Sequence, residues 1–179
     1  VTTFQLGDFR ISVLRDGALR FANDGTIFAT NATPEAVARI LERGGLSKDE
    51  IRLDIDAMLV RMPHHLVLLD AGYGLAGKSV LRESLALAGV KPDEITDIFI
   101  THSHPDHVGG LVDGQGHAAF PKATIWMSAN EWAFMQTEKD VRAEVPVIEA
   151  QVKTGVPGRR ALPGLVPVAL QGHTPGHTG

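Results

Sequence analysis

The chain has 179 residues, of which 44% are hydrophobic and 21% charged, with a net charge of −4 at pH 7 and no cysteine. This composition is ordinary for a globular protein with a real core, and the length predicts a single domain over residues 1–179. The missing cysteines exclude disulfides and thiolate metal sites. The lack of a long basic run argues against nucleic-acid binding, which needs lysine and arginine to neutralise phosphates.

No apolar run approaches the roughly 20 residues that a membrane helix needs, and no signal-like segment begins the chain. We therefore expect a soluble protein. The first residue is Val1 rather than methionine, which leaves open whether a segment upstream of it was removed. The compartment also stays open between cytoplasm and periplasm, because a cysteine-free chain suits either redox environment.

The predicted elements alternate between strands and helices, which favours the α/β class. Alternating apolar and polar residues predict strands within Phe4–Asp16, ended by a turn at Asp16-Gly17. Thr33-Pro34-Glu35 predicts the start of a helix, and Gly44-Gly45 its end. We interpret this helix as a packing or surface element, with a lid over a site as the alternative.

Further strands are predicted near Ala57–Met62 and Leu66–Leu69, joined by a turn at Pro63-His64-His65. We interpret the two histidines of this turn as turn residues rather than as a functional pair. The remaining predicted elements are a helix from about Lys78 to Ala88, a helical turn at Pro92–Ile95, strands at Ile98–Thr101 and Ala123–Ser128, a helix over Glu131–Lys139 capped by Asn130, and a short strand at Val166–Leu170.

A cluster of metal-ligand side chains follows the predicted strand Ile98–Thr101. It consists of His102, His104, Asp106 and His107. Imidazole and carboxylate ligands together suit zinc or a similar first-row metal. A histidine-rich surface loop is the alternative.

The spacing of this cluster has a geometric meaning. Residues two apart in an extended chain point the same way, so His102, His104 and Asp106 would share a face if the segment stays extended. His107 reaches a nearby position only if the chain turns around Asp106, and Gly109-Gly110 allow a tight turn and close packing there. The pattern favours two adjacent metal positions.

A second histidine string follows the predicted strand Val166–Leu170, and it reads Gly172-His173-Thr174-Pro175-Gly176-His177. A catalytic zinc ion has three protein ligands and an open position for water. His102, His104 and His173 would supply those three. His177 lies past a Pro-Gly turn, and we interpret it as a supporting residue rather than a ligand.

Together the two strings resemble the metallo-β-lactamase superfamily, whose signature is H-x-H-x-D-H at a strand end and a later histidine in a G-H-T-like turn. Leu68-Leu69-Asp70-Ala71-Gly72 is similar to the family's apolar strand ending in Asp-x-Gly. The opening residues 6–17 resemble the branch that includes methyl parathion hydrolase and related lactonases. The resemblance implies the αβ/βα four-layer sandwich, with the site at one sheet edge.

The resemblance also implies roles for the matched residues. It implies one metal site formed by His102, His104 and His173, and part of a second formed by Asp106 and His107. The implied cofactor is zinc, with two ions in the complete protein and with manganese or iron as alternatives. Asp106 is the expected catalytic residue, which would orient the attacking water or a second metal and pass a proton to the leaving group. Asp70 is expected to hold a ligand histidine from behind.

The family pattern continues with a bridging carboxylate and a final histidine, whereas this sequence ends at Gly179. We therefore expect the C-terminal half of the fold to be largely absent from the chain, and the second metal site to be incomplete in it.

The implied activity is hydrolysis, in which metal-bound hydroxide attacks an ester, lactone, amide or phosphotriester. The alternatives are an iron-dependent oxygenase or redox protein of the same fold, and an inactive metal-binding fragment. We expect a small-molecule substrate and neither a nucleic acid nor a membrane as partner. The formation of a homo-oligomer is left open.

Overall fold

The computed structural model describes residues 1–74 and 79–179. Within them, seven strands form one sheet whose spatial order is their order along the chain. The strands are β1 Thr2–Leu6, β2 Phe9–Ala22, β3 Glu50–Met62, β4 His65–Leu69, β5 Asp97–Phe99, β6 Thr124–Ser128 and β7 Val152–Gly155. The helices are α1 Pro34–Arg43, α2 Leu81–Leu87, α3 Pro105–Val108, α4 Ala129–Met135 and α5 Val145–Ile148, with 3-10 turns at Pro92–Glu94, Gly109–Leu111 and Glu149–Gln151. The predicted α/β class is confirmed.

The sheet is mixed. Strand β1 pairs antiparallel with β2, and β3 with β4, whereas β4, β5, β6 and β7 pair parallel in succession. Parallel neighbours need crossover connections, and α2, α3, α4 and α5 lie in these connections. Because parallel strands end at the same edge of a sheet, the segments that follow β4, β5 and β6 leave the sheet side by side.

Apolar side chains on both faces of the central strands are buried. Leu59, Leu68 and Ile98 belong to one cluster, which also takes up side chains of α2 and α4. Val60 and Val67 belong to a second cluster. Because successive residues of a strand point to opposite faces, β3 and β4 are packed on both sides, as is usual for the interior of a sheet with parallel strands.

The chain divides into two compact units, residues 1–17 with 56–179 and residues 18–55. The second unit contains α1, whose predicted start is confirmed: the Thr33 hydroxyl accepts a hydrogen bond from the Ala36 amide at 3.2 Å, and Pro34 opens the helix. No residue of this described helix is buried, and 61% of Ile40 is exposed. The single domain expected over residues 1–179 stays a prediction.

No helix in the described ranges combines the length and apolar character that are needed to cross a bilayer.

The turn predicted at Asp16-Gly17 is wrong, because β2 continues to Ala22. The reason is that the Asp16 carboxylate is fully buried instead of closing a turn. It accepts hydrogen bonds from the Tyr73 amide at 2.7 Å and the Leu81 amide at 3.2 Å. A buried carboxylate with amide partners favours the extended strand over a solvent-exposed turn.

Other predictions differ from the structure at the start of α4 and at Val166–Leu170, and one falls on residues outside the described ranges. The cap of α4 is Ser128 rather than Asn130, because the Ser128 hydroxyl accepts from the Glu131 amide at 3.1 Å. The predicted helix start at Lys78 lies outside the described residues, and α2 is seen from Leu81. The predicted strand Val166–Leu170 is reduced to an isolated bridge at Ala169. Strand β7 was not predicted.

The predicted turn before β4 places His65 at the first position of that strand, where its ring meets a buried carboxylate. His65 Nδ1 lies 2.8 Å from Asp97 Oδ2. Trp126 Nε1 and the Thr96 hydroxyl also donate to this carboxylate, at 2.9 Å and 2.7 Å. Burial alone would raise the pKa of Asp97, but these three hydrogen bonds outweigh it and hold the pKa below the ordinary value.

We expect Asp97→Ala to lower the free energy of unfolding at pH 7 by about 1–3 kcal/mol, because the three donors lose their acceptor. The pKa of Asp97 is lower in the folded state than in the unfolded chain. The stabilisation is therefore complete above the unfolded value of about 3.9 and is lost as the pH falls through the folded value. Urea unfolding between pH 7 and pH 3 measures this. A gap between the two proteins that stays constant over this range would contradict the assignment.

Candidate metal centre

The loop after β5 carries the first histidines. The chain stays extended to His104, which caps α3 with φ −72° and ψ 155°, and Pro105 then begins the helix. The condition under which Asp106 would share a face with His102 and His104, an extended segment, is therefore not met, because Pro105 opens a helical turn as proline does at a first helical position. This turn contains Asp106 and His107, so the chain does turn around Asp106 as His107 was expected to require.

Three imidazoles from the two strings converge. The ring centroids of His102 and His104 lie 4.9 Å apart, those of His102 and His173 4.6 Å, and those of His104 and His173 4.5 Å. Each ring offers one nitrogen, and these nitrogens all lie within 4.8 Å of one another. Among residues 1–74 and 79–179, this is the group of side chains that could hold a metal ion.

The closest approach is between His104 Nδ1 and His173 Nε2, which lie 3.0 Å apart. Two ring nitrogens at this distance share a proton or face a common cation, since two lone pairs alone would repel each other. Nitrogen ligands in a tetrahedral zinc site lie about 3.3 Å apart, given bonds of about 2.0–2.1 Å. The donor set thus fits a small cation of this kind.

The tautomers of two histidines follow from Asp70. The Thr101 hydroxyl donates to Asp70 Oδ2 at 2.9 Å, so its oxygen is left to accept from His102 Nδ1, 3.0 Å away. His107 Nδ1 lies 2.7 Å from the same Asp70 oxygen. In the neutral form of both rings the proton is therefore on Nδ1, which leaves the lone pair of Nε2 for a metal.

Asp70 is itself held firmly. It is 9% exposed and adopts φ +59°, a left-handed conformation that aspartate tolerates better than most residues. Its amide donates to the Phe99 carbonyl at 2.9 Å, and its Oδ1 accepts from the Thr101 amide at 2.8 Å. The residue at the end of β4 thus ties that strand to the histidine loop after β5.

Burial and neighbouring charges set the protonation of the rings. Burial, followed by the nearby His107, His104, His173 and His177, lowers the pKa of His102 to about 3. Burial and His173 also lower the pKa of His104. Burial opposes protonation of His107, yet Asp70 and Asp106 outweigh it and raise its pKa. At neutral pH His102 and His104 are therefore uncharged, as ligand imidazoles must be.

The remaining predicted residues lie around His102 without joining the group of three. The His107 ring centroid is 3.9 Å from that of His102, and the His177 centroid 4.8 Å. His107 Nε2 lies 3.6 Å from Asp106 Oδ2. His107 and His177 are thus neighbours of His102, and Asp106 is a neighbour of His107; the roles of all three stay predictions.

Two residues of the site were not identified from the sequence. Thr101 links His102 to Asp70, and Glu131 is a fully buried carboxylate hydrogen-bonded to both histidine strings. Ser128 and Glu131 have the S-x-x-E spacing of a capping box, which signals a helix start. That signal places α4 correctly but does not reveal that the Glu131 side chain contacts the two strings.

Comparison with known proteins places these residues in a family. The sequence model of the metallo-beta-lactamase superfamily matches residues 51–179. The metallo-beta-lactamase domain-containing protein 1 of Xenopus laevis is 34% identical over 152 residues, which are 82% of this chain and 55% of that protein. The chain thus spans about half the length of this curated relative.

Two solved structures are similar along nearly the whole chain. One is AidC, a dizinc quorum-quenching lactonase in complex with a product, with a TM-score of 0.91 and 27% identity over 99% of this chain and 68% of that one. The other is the hydrolase AbOPH of the beta-lactamase superfamily, with a TM-score of 0.85 and 26% identity over 98% of this chain and 67% of that one. The fold that the two histidine strings implied is confirmed.

Proposed function

The chain belongs to the metallo-β-lactamase superfamily, and we propose that it is a metal-dependent hydrolase that acts on a small-molecule ester or lactone. The observation that carries this proposal is the convergence of His102 and His104 with His173, which follows His104 by 69 residues. We propose zinc as the cation, because three imidazoles without thiolate are typical of a catalytic zinc site.

When bound, such a cation would polarise the carbonyl oxygen of the substrate and lower the pKa of its water towards about 7. The protein's own contribution begins with neutral imidazoles: burial keeps protons off His102 and His104. Asp70 then fixes which nitrogen of His102 and His107 faces the centre. Without this support, the rings would rotate and lose affinity for the metal.

Asp106 is the proposed catalytic residue. Its side chain is 39% exposed beside His107, so it is accessible to a substrate and to water. We propose that it orients the attacking water and passes the proton to the leaving oxygen, as a positioned carboxylate does in general acid–base catalysis. Asp106 and His107 are also the proposed residues for a second ion.

The proposed substrate class is a lactone of the N-acyl homoserine type. The support is the likeness to a structure described as a quorum-quenching lactonase, at 27% identity and a TM-score of 0.91. Hydrolysis of a lactone needs only an activated water and a stabilised oxyanion, which a centre of this kind provides.

The test is metal removal. The chain is stripped with a chelator, and hydrolysis of N-hexanoyl homoserine lactone and of a nitrophenyl ester is followed before and after addition of zinc, manganese or iron. We expect hydrolysis to stop without metal and to return with zinc or manganese. Elemental analysis of the purified chain identifies the resident ion.

Hydrolysis that survives complete metal removal would exclude the proposal. A chain that binds zinc but hydrolyses neither compound would exclude the hydrolase activity while leaving the metal centre in place.

A further inference from the structure

Glu131 is a fully buried carboxylate in the first turn of α4. Its Oε1 accepts hydrogen bonds from the Ser103 amide and hydroxyl, each at 2.7 Å. Its Oε2 accepts from the Thr174 hydroxyl at 2.6 Å and from the Gly176 amide at 3.1 Å. Four donors on one carboxylate satisfy a charge that would otherwise be costly to bury.

These donors belong to the two histidine strings. Ser103 lies between His102 and His104, and Thr174 follows His173 directly. One carboxylate oxygen therefore holds the loop after β5, and the other holds the loop of His173. The two loops are therefore held side by side, because each is hydrogen-bonded to one oxygen of the same Glu131 carboxylate.

The arrangement requires that both terminal atoms of the residue 131 side chain accept hydrogen bonds. Each oxygen receives a backbone amide hydrogen, from Ser103 on one side and from Gly176 on the other, and a backbone amide cannot reverse its polarity. A glutamine at position 131 would place its NH₂ group against one of these amides. The site thus distinguishes a carboxylate from an amide of the same shape.

A second contact holds the later loop against α4. The Ser128 hydroxyl donates to the Gly176 carbonyl at 2.7 Å. A β-carbon added to Gly176 would lie 2.1 Å from the Glu131 amide nitrogen, so only glycine allows the loop backbone to lie this close. The loop of His173 is therefore seated on the first turn of α4 by its backbone as well as through the carboxylate.

We propose that Glu131 is a positioning residue that sets the separation of His104 and His173 before a cation binds. It touches no metal-facing nitrogen, and it acts through the backbone of both loops. This inference rests on the proposed metal centre, and it adds a residue outside both histidine strings to the set that determines metal affinity.

The test compares Glu131→Gln with the unsubstituted chain by titration with Co²⁺, whose visible absorption reports ligand geometry. We expect Glu131→Gln to bind Co²⁺ about 10–100-fold more weakly and to show an altered absorption spectrum, while its far-UV circular dichroism stays that of the parent. A smaller loss in the same direction is expected for Ser103→Ala and Thr174→Val, which each remove one hydroxyl donor. These two variants decide the matter if Glu131→Gln does not fold.

Asp97→Ala is the matched control, because Asp97 is another buried hydrogen-bonded carboxylate but lies at the start of β5, away from the histidine loop. It is expected to lose stability and to keep the parent's Co²⁺ affinity and spectrum. If Glu131→Gln and Asp97→Ala lose the same stability and also the same Co²⁺ affinity, the role of Glu131 is purely structural and the inference is overturned.

The two proposals fail in different ways. If the unsubstituted chain binds no Co²⁺, the metal centre and this inference are both overturned. If the parent binds Co²⁺, and Glu131→Gln is folded and binds it with the same affinity and spectrum, only the role of Glu131 is overturned.

Discussion

Replacing His173 with alanine is expected to lower the Zn²⁺ affinity of the chain by more than the roughly 10–100-fold that is typical for a residue that merely supports a ligand. His173 is one of the three imidazoles that converge, and its Nε2 lies 3.0 Å from His104 Nδ1. The two remaining nitrogens do not make a set of three ligands with an open position. Competition with a chromophoric chelator measures the affinity.

The same substitution is expected to leave the fold intact. His173 is an exposed loop residue, and substitutions at such positions usually change the free energy of unfolding by no more than about 0.5 kcal/mol. His117→Ala is the control, because 73% of the His117 side chain is exposed and it lies outside the histidine group. Unchanged Zn²⁺ affinity in His173→Ala would place the ligands elsewhere.

Gly110→Ala is expected to destabilise the chain by about 3 kcal/mol, the upper end of the usual cost of overpacking, although it adds only one methyl group. A β-carbon at this position would lie 2.0 Å from the Ala71 carbonyl oxygen. Backbone contacts hold the two segments together: the Gly110 amide donates to the Gly72 carbonyl at 3.2 Å, and the Ala71 amide to the His107 carbonyl at 2.8 Å. Relief of the clash must therefore separate two backbones.

The substitution should also disturb His107, which lies three residues before Gly110. A displaced Gly110 would shift the backbone of this segment and move the His107 ring away from Asp70. Gly114→Ala is the matched control: a β-carbon there meets nothing within 4 Å, and its φ is not positive. Urea unfolding of the two variants measures the difference. Equal stability of Gly110→Ala and Gly114→Ala would contradict the close backbone contact.

The histidine site could be anticipated from the sequence because its chemistry is local. His102 and His104 stand two apart after an apolar strand, and His173 lies in a glycine- and proline-rich string. In such strings the ligand types and their spacing are visible in the sequence itself. The close packing expected at Gly109-Gly110 was likewise confirmed, because paired glycines indicate a place where backbones approach.

The supporting residues could not be anticipated, because their partners are distant in sequence. Glu131 has the pattern of a helix-capping acid, but its side chain bonds to Thr174, 43 residues later. Asp16 has the pattern of a turn before glycine, but its carboxylate is held by the amide of Tyr73, 57 residues later. In both cases a long-range hydrogen bond replaced the local one that the pattern favours.

The order of the strands has a consequence for biogenesis. Each strand of the sheet lies beside the one that precedes it in the chain, so a nascent polypeptide can add strands one at a time as they leave the ribosome. The histidine centre departs from this sequential assembly, since His104 must wait for a residue made 69 positions later. The proposed capture of an ion by all three imidazoles therefore requires that the seven described strands, which all precede His173, have already been synthesised.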